Sequence, residues 1–343
     1  MRWRRWEKWK KWEKRRTWFL LLAAATALVL LARRFPIRGR LLDPRALGQT
    51  YVEDGPFPRR MTDPVGGERS LLRPPQRIAS ATLASDEILL EILPPTALVA
   101  VTTFVDDPAF SGSPGRAPAS LPRITGELET ILSLQPDLIV LAGYSRAEMV
   151  TQLLALGTAV VRLDRYTSFA DILRNIRLLG RATGTDLAAA TLVQELEGRL
   201  AHVAARMQGQ PRPRVLFWQP GGYTAGPPTV TDEIIERAGG HNAARDARFE
   251  GNAVLSTEGV LGLRPDVIVL GVPTLTSLAD ASNLLPAEPA WRTLLSGSRP
   301  CRVVGVPAAW IGSLSQHAVR GLEALAELLH PELPHDSARP SQP

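Results

Sequence analysis

One cysteine, Cys301, in a chain of 343 residues excludes an intramolecular disulfide framework and a zinc site built on thiolates. Histidine is scarce as well. The five, at positions 202, 241, 317, 330 and 335, show no HxxxH and no paired His/Asp spacing, so the sequence predicts no metal site and no resident cofactor. A phosphate loop is missing: GGYTAG, from Gly221 to Gly226, lacks the Gly-Lys-Ser/Thr ending and does not lead straight into a helix. Hydrolytic machinery is equally thin. Asp106 and Asp107 are loop neighbours whose side chains point apart, with no His or Ser partner, so no catalytic residue is assigned and a hydrolytic enzyme is the weak alternative.

Charge is present but confined. Residues 1–16 carry nine Lys/Arg against Glu7 and Glu13, and Arg33, Arg34, Arg38 and Arg40 add four more positive charges. Residues 41–76 balance five against five, so of the chain's net +6, residues 77–343 hold −5. A mildly acidic folded part does not suit a phosphate backbone, and no nucleic-acid partner is expected.

Between the basic flanks, Thr17 to Ala32 is uncharged; as a helix it spans about 24 Å, a little short of the ~30 Å hydrocarbon core. Snorkelling Arg33 and Arg34 close that gap, and no small-x-small cleavage site follows, so an uncleaved transmembrane anchor is favoured over a cleaved signal. The heavier positive flank places residues 1–16 in the cytoplasm and everything after Arg33 outside it. The leader also holds Trp3, Trp6, Trp9 and Trp12, which fit either a basic interfacial helix or incidental spacing.

A thirteen-residue pattern occurs twice, 129 positions apart: ETILSLQPDLIVL from Glu129 to Leu141 and EGVLGLRPDVIVL from Glu258 to Leu270, with eight identical positions. Each copy reads as a short helix opened by an acid, a Pro-Asp turn and an all-apolar strand of the kind buried in a parallel sheet. Two copies a domain's length apart predict an α/β fold of two similar lobes with mainly parallel sheets. The expected boundaries are a Pro/Gly/Arg linker over 33–75, an N-terminal lobe over 76–167 and a helical connection over 168–210. A C-terminal lobe over 211–333 and a disordered tail over 334–343 follow. Within this frame a first strand starts at Arg77, Ser85 and Thr231 cap helices, and one long inter-lobe helix spans Asp186 to Gln208.

The blocks RIASATLASDEILLEIL and TDEIIERAGGHNAA, the two Glu-x-x-Leu-x-Leu-x-Pro-Asp segments and the single long helix between them resemble the periplasmic-binding domain of iron-complex and vitamin B12 uptake systems. That resemblance covers residues 76 to 333. It implies two lobes on one rigid helix, with a siderophore, haem or cobalamin held in the cleft and delivered to an ABC permease driven by an ATPase. It also implies that Glu129 and Glu258, one per repeat, dock on the permease. A membrane-anchored sensor or scaffold uncoupled from transport is the alternative. For a large flat ligand the expected cleft residues are Phe104, Tyr144, Trp218, Tyr223 and Trp310 as apolar walls, with Asp106 in the family's aromatic loop and Arg146 as a partner for an anionic chelate. The loop WQPGGYTAGPP, flanked by Trp218 and Tyr223, is the foremost candidate because it follows the carboxyl end of a strand.

Overall fold

The computed structural model describes residues 48–273, 284–286, 288–296 and 300–333. The leader, the apolar segment 17–32 and the tail from 334 lie outside them. Among the described residues no helix is long and apolar enough to cross a membrane.

The chain enters through three short antiparallel strands, β1 (Tyr51–Val52), β2 (Arg59–Thr62) and β3 (Glu68–Leu71), ordered β1-β2-β3. The composition of residues 33–75 suggests a tether or an irregular collar; over residues 51–71 the collar is built of regular strands. The strands are two to four residues long, too short for a period to show in the sequence, yet Val52, Met61 and Leu71 are all buried. Arg59, 7 % exposed, fastens this collar to the back of the molecule: it pairs with Asp186 in a fork at 2.8 and 3.1 Å and donates to the Arg181 carbonyl at 2.6 Å.

The first lobe is a five-stranded parallel sheet ordered β6-β5-β4-β7-β8, made of β4 (Ile78–Ser80), β5 (Leu98–Thr102), β6 (Arg123–Ile124), β7 (Leu138–Ala142) and β8 (Ala159–Leu163). Helices α1 (Leu83–Ile92), α2 (Leu128–Ser133) and α3 (Ala147–Ala155) connect its strands. Every residue of β7 is buried, as its unbroken apolar run predicts. Thr82, not Ser85, caps α1: its side chain accepts from the Ser85 N–H, while the Ser85 hydroxyl turns back to the Thr82 carbonyl at 2.9 Å.

Two helices form the back. Ser168 caps α4 (Phe169–Thr183), which ends at a left-handed Gly184 with φ 78°, and α5 (Asp186–Met207) runs 22 residues, about 33 Å. The second lobe is a four-stranded parallel sheet ordered β11-β9-β13-β14. It contains β9 (Arg214–Trp218), β11 (His241–Asn242), β13 (Val267–Val272) and β14 (Arg302–Pro307), with a ribbon of β10 (Tyr223–Ala225) and β12 (Asn252–Val254) beside it. Its helices are α6 (Val230–Arg237), α7 (Thr257–Leu263), α8 (Pro289–Ser296), α9 (Ala308–Ile311) and α10 (Ala318–Leu329). Thr229 caps α6, whereas Thr231 is buried and donates to the Ile311 carbonyl at 3.1 Å.

The duplicated block builds the same joint in each lobe. Gln135 and Arg264 both turn left-handed, at φ 48° and 46°, immediately before the proline. Asp137 then accepts from the Gln76 and Arg77 N–H groups, and Asp266 from that of Arg214. Arg77 and Arg214 return the contact by donating to the Leu134 and Leu263 carbonyls at the end of each short helix. One apolar core, including Val140, Leu196 and Val269, runs from lobe to lobe through α4 and α5, while the outer face of the second sheet has its own core around Trp218 and Trp291.

Candidate functional site

The carboxyl ends of the strands face a cleft with about 940 Å³ of open space. The first lobe contributes Leu83, Ala84 and Glu87 from α1, Ala109 and Phe110 from the loop after β5, Tyr144 after β7 and Tyr166 after β8. The second contributes Phe217 and Gln219 at the end of β9, Ala308 and Ile311 of α9, and the following Gly312, Ser313 and Leu314. The lining is mostly apolar and aromatic, with phenol, amide and hydroxyl groups set into it; among the described lining residues none is cationic.

Among the described lining residues one is ionisable near neutrality. Glu87 is buried, and burial pushes its carboxyl up to about 7 in spite of hydrogen bonds from Ser315 and Gly112. Beside it on α1, Asp86 accepts from the Thr102 N–H and hydroxyl at 3.0 and 2.5 Å, and burial raises it to about 7 as well. His317, 3.9 Å from Glu87, is held down to about 3 by burial and by Arg320, so its ring is neutral and the two do not form an ion pair.

Of the residues read from the sequence, Tyr144 lies on the cleft wall, its ring 6.2 Å from that of Tyr166. Phe104 is exposed beside the wall and does not line it, packed edge-on against Phe110 at 5.5 Å. Asp106 forks with Arg123 at 2.7 and 2.9 Å, and Arg123 also holds the Pro118 and Leu121 carbonyls; this pair shapes the loop that presents Phe110 and does not line the cleft. Arg146 is exposed at the start of α3 and likewise lies off the cleft.

Of three further candidates, Trp218 and Trp310 sit on elements that reach the cleft but point elsewhere, and Tyr223 sits on a strand that does not line it. Successive side chains on a strand point to opposite faces. Phe217 and Gln219 therefore face the cleft while Trp218 turns into the outer core, 4 % exposed, against Trp291 at 5.0 Å. Tyr223 is exposed on β10, and the glycine loop before it serves to present Gln219, for which Gly271 leaves room: a Cβ there would lie 2.2 Å from the Gln219 amide. Trp310 belongs to α9, but its ring lies under the Arg320 guanidinium at 5.9 Å while Ala308 and Ile311 face the cleft. Glu87, Phe110, Tyr166, Gln219 and Ser313 were not legible. Glu87 reads as an ordinary first-turn acid, one of three carboxylates on α1, and nothing local marks it as buried.

Both Glu129 and Glu258 are exposed at the starts of α2 and α7. Glu258 is held below the usual carboxylate range by its own backbone N–H and by Ser256. Among the described residues no group of three or more His, Cys, Asp or Glu is arranged to hold a metal ion.

Two parallel-sheet lobes, a helical back and an apolar cleft at the strand ends define a two-lobed α/β binding protein. Residues 78–293 match the family described as Periplasmic binding protein, and the chain belongs to it. A Cobalamin-binding protein of Halobacterium salinarum is 32 % identical over 206 residues, covering 59 % of this chain and 56 % of that protein, so the chain spans about half the length of that relative. A periplasmic heme binding protein from Pseudomonas aeruginosa is similar in structure, with a TM-score of 0.62, 26 % identity, and coverage of 76 % of this chain and 94 % of that one. The periplasmic vitamin B12 binding protein BtuF of Vibrio cholerae, 21 % identical with a TM-score of 0.62 over 75 % of this chain and 98 % of that one, shares the fold.

Proposed function

We propose that this protein captures a corrinoid of the cobalamin type in the cleft and delivers it to an ABC permease. The observation that carries the choice is the charge of the wall: apolar and aromatic surface, hydrogen-bonding Gln219, Ser313 and tyrosines, one carboxyl and no cation among the described lining residues. Haem presents two propionates and most ferric siderophores are anionic, and an anion facing this wall loses hydration without gaining a partner. The periphery of cobalamin is made of neutral amides, which such a wall accepts. The cobalamin-binding relative from Halobacterium salinarum supports the same ligand. The visible spectrum of the soluble domain, titrated with cyanocobalamin and with haemin, tests this. Saturable binding of cyanocobalamin is expected, and tighter binding of haemin overturns the choice.

Delivery rests on Glu129 and Glu258, which occupy equivalent exposed positions on helices that lead into equivalent strands, one in each lobe, as two permease subunits require. Rim charges steer association and fix register. Glu129→Arg and Glu258→Arg are expected to reduce stimulation of the reconstituted ATPase and its salt sensitivity, with ligand affinity within about twofold of wild type. Unaltered stimulation in the double variant removes this role. The apolar segment 17–32 is proposed as the inner-membrane anchor of a periplasmic protein; a soluble form beginning near residue 33 in the periplasm contradicts it.

A further inference from the structure

A buried carboxylate lies at the centre of the contacts that fasten the lobes to one another beside the cleft. Glu87 of the first lobe is 2 % exposed and lines the cleft. Its Oε1 accepts from the Gly112 N–H of the same lobe at 2.6 Å, and its Oε2 accepts from the Ser315 hydroxyl of the second lobe at 2.5 Å. Gln316 of the second lobe donates to the Glu87 backbone carbonyl at 2.9 Å. The contact has no slack: a Cβ on Gly112 would fall 2.4 Å from the His317 ring, whose Nε2 lies 3.1 Å from the Ser113 hydroxyl.

The segment held this way is the cleft's own wall. Gly312 to Gln316 lies between the end of α9 and the start of α10, outside any sheet ladder. Ser313, which lines the cleft, is 3.0 Å from the Ser315 hydroxyl, so the wall and the fastening are one hydrogen-bonded unit.

We propose that Glu87 is the positioning residue of the cleft: by holding Ser315 and Gln316 against α1 it sets the distance between the two walls that a ligand meets. The ligand half of this statement rests on the corrinoid reading above; the latch between the lobes does not. The test uses nitroxide labels at exposed Thr130 and Glu250, one in each lobe, in a Cys301→Ser background, with distances measured without ligand and affinity measured with cyanocobalamin.

Glu87→Ala removes the fastening and Gly112→Ala wedges it from the other side. Either is expected to lengthen or broaden the inter-lobe distance by about 2 Å or more and to weaken cyanocobalamin binding about tenfold. Glu87→Gln still accepts from Gly112 and donates to Ser315, and is expected to restore both readings, which loss of core packing alone does not predict. Unchanged distances in both Glu87→Ala and Gly112→Ala overturn the proposal, as do wider lobes with wild-type affinity. Distances that move as expected in a protein that takes up no cyanocobalamin support the latch and overturn the ligand reading.

Discussion

The two lobes repeat one another at the feet of their strands and differ at the heads. At the feet, Asp137 and Asp266 hold the starts of β4 and β9, and Arg77 and Arg214 hold the helix ends, in the same register. At the heads, the first lobe presents two tyrosines, Phe110 and a buried acid, whereas the second presents Phe217, Gln219 and a short serine-bearing segment. The first helices differ too. On α1, Asp86 and Glu87 are buried with no Arg or Lys ion pair among the described residues, while on α6 Asp232 pairs with Arg245 and Glu233 with Arg237, each at 2.6 Å. A shared frame therefore carries two walls of different chemistry, and an asymmetric ligand meets a different surface on each side.

The widest contrast lies within one strand. Trp218→Ala opens a cavity against Trp291 and is expected to cost about 3–5 kcal/mol of stability with ligand affinity of the folded protein little changed. Phe217→Ala, one residue away, is expected to weaken ligand binding about tenfold at a smaller cost in stability. Urea unfolding and ligand titration of both variants decide it. If Trp218→Ala is the one that loses ligand, the assignment of faces is wrong.

The acids of α1 set the next effect. Glu87 is raised from 4.5 to about 7, so the folded chain holds a proton that the unfolded chain has released between those values. The stability that goes with this proton is complete below pH 4.5 and is lost as pH rises through 7, roughly 3 kcal/mol for such a shift. Asp86 acts in the same direction. Unfolding free energy is thus expected to fall between about pH 4.5 and 7, and Glu87→Gln to flatten part of that fall. A profile that rises over this range contradicts the burial of these acids.

A smaller effect tests the likeness of the lobes. Asp137→Ala leaves the Gln76 and Arg77 N–H groups without their carboxylate and is expected to cost about 1–3 kcal/mol, with Asp266→Ala in the same range. Equal losses sharpen the duplication. A silent Asp266→Ala breaks it.

The feet of the strands were legible in the sequence and the heads largely were not, for a physical reason. Backbone joints need a particular residue at a particular place: a turn before proline, an aspartate for two N–H groups, an unbroken apolar run. That is why the block at Glu129 and Glu258, strand β8 and the long helix from Asp186 agree with the sequence to within a residue or two. Cleft residues need only to point inward, and pointing is set by strand parity and helix phase. Trp218 and Trp310 were placed on the correct elements, and the side chains that reach the cleft are Phe217 with Gln219 and Ala308 with Ile311. Asp106 illustrates another limit: its partner Arg123 is seventeen positions on, and nothing local announces the pair.

The collar of β1 to β3 has a mechanical consequence. Arg59 bonds to both back helices, Arg69 to the Leu154 carbonyl at the end of α3, and Thr50 accepts from the N–H of Arg162 in the edge strand β8. A tension applied to the chain at Gly48 is therefore shared in shear among bonds to four elements, and it peels no single strand from a sheet. The load enters at α3, β8 and the two back helices, away from Glu87 and Ser315. A chain held from its N-terminal side can be tugged without its cleft being prised open.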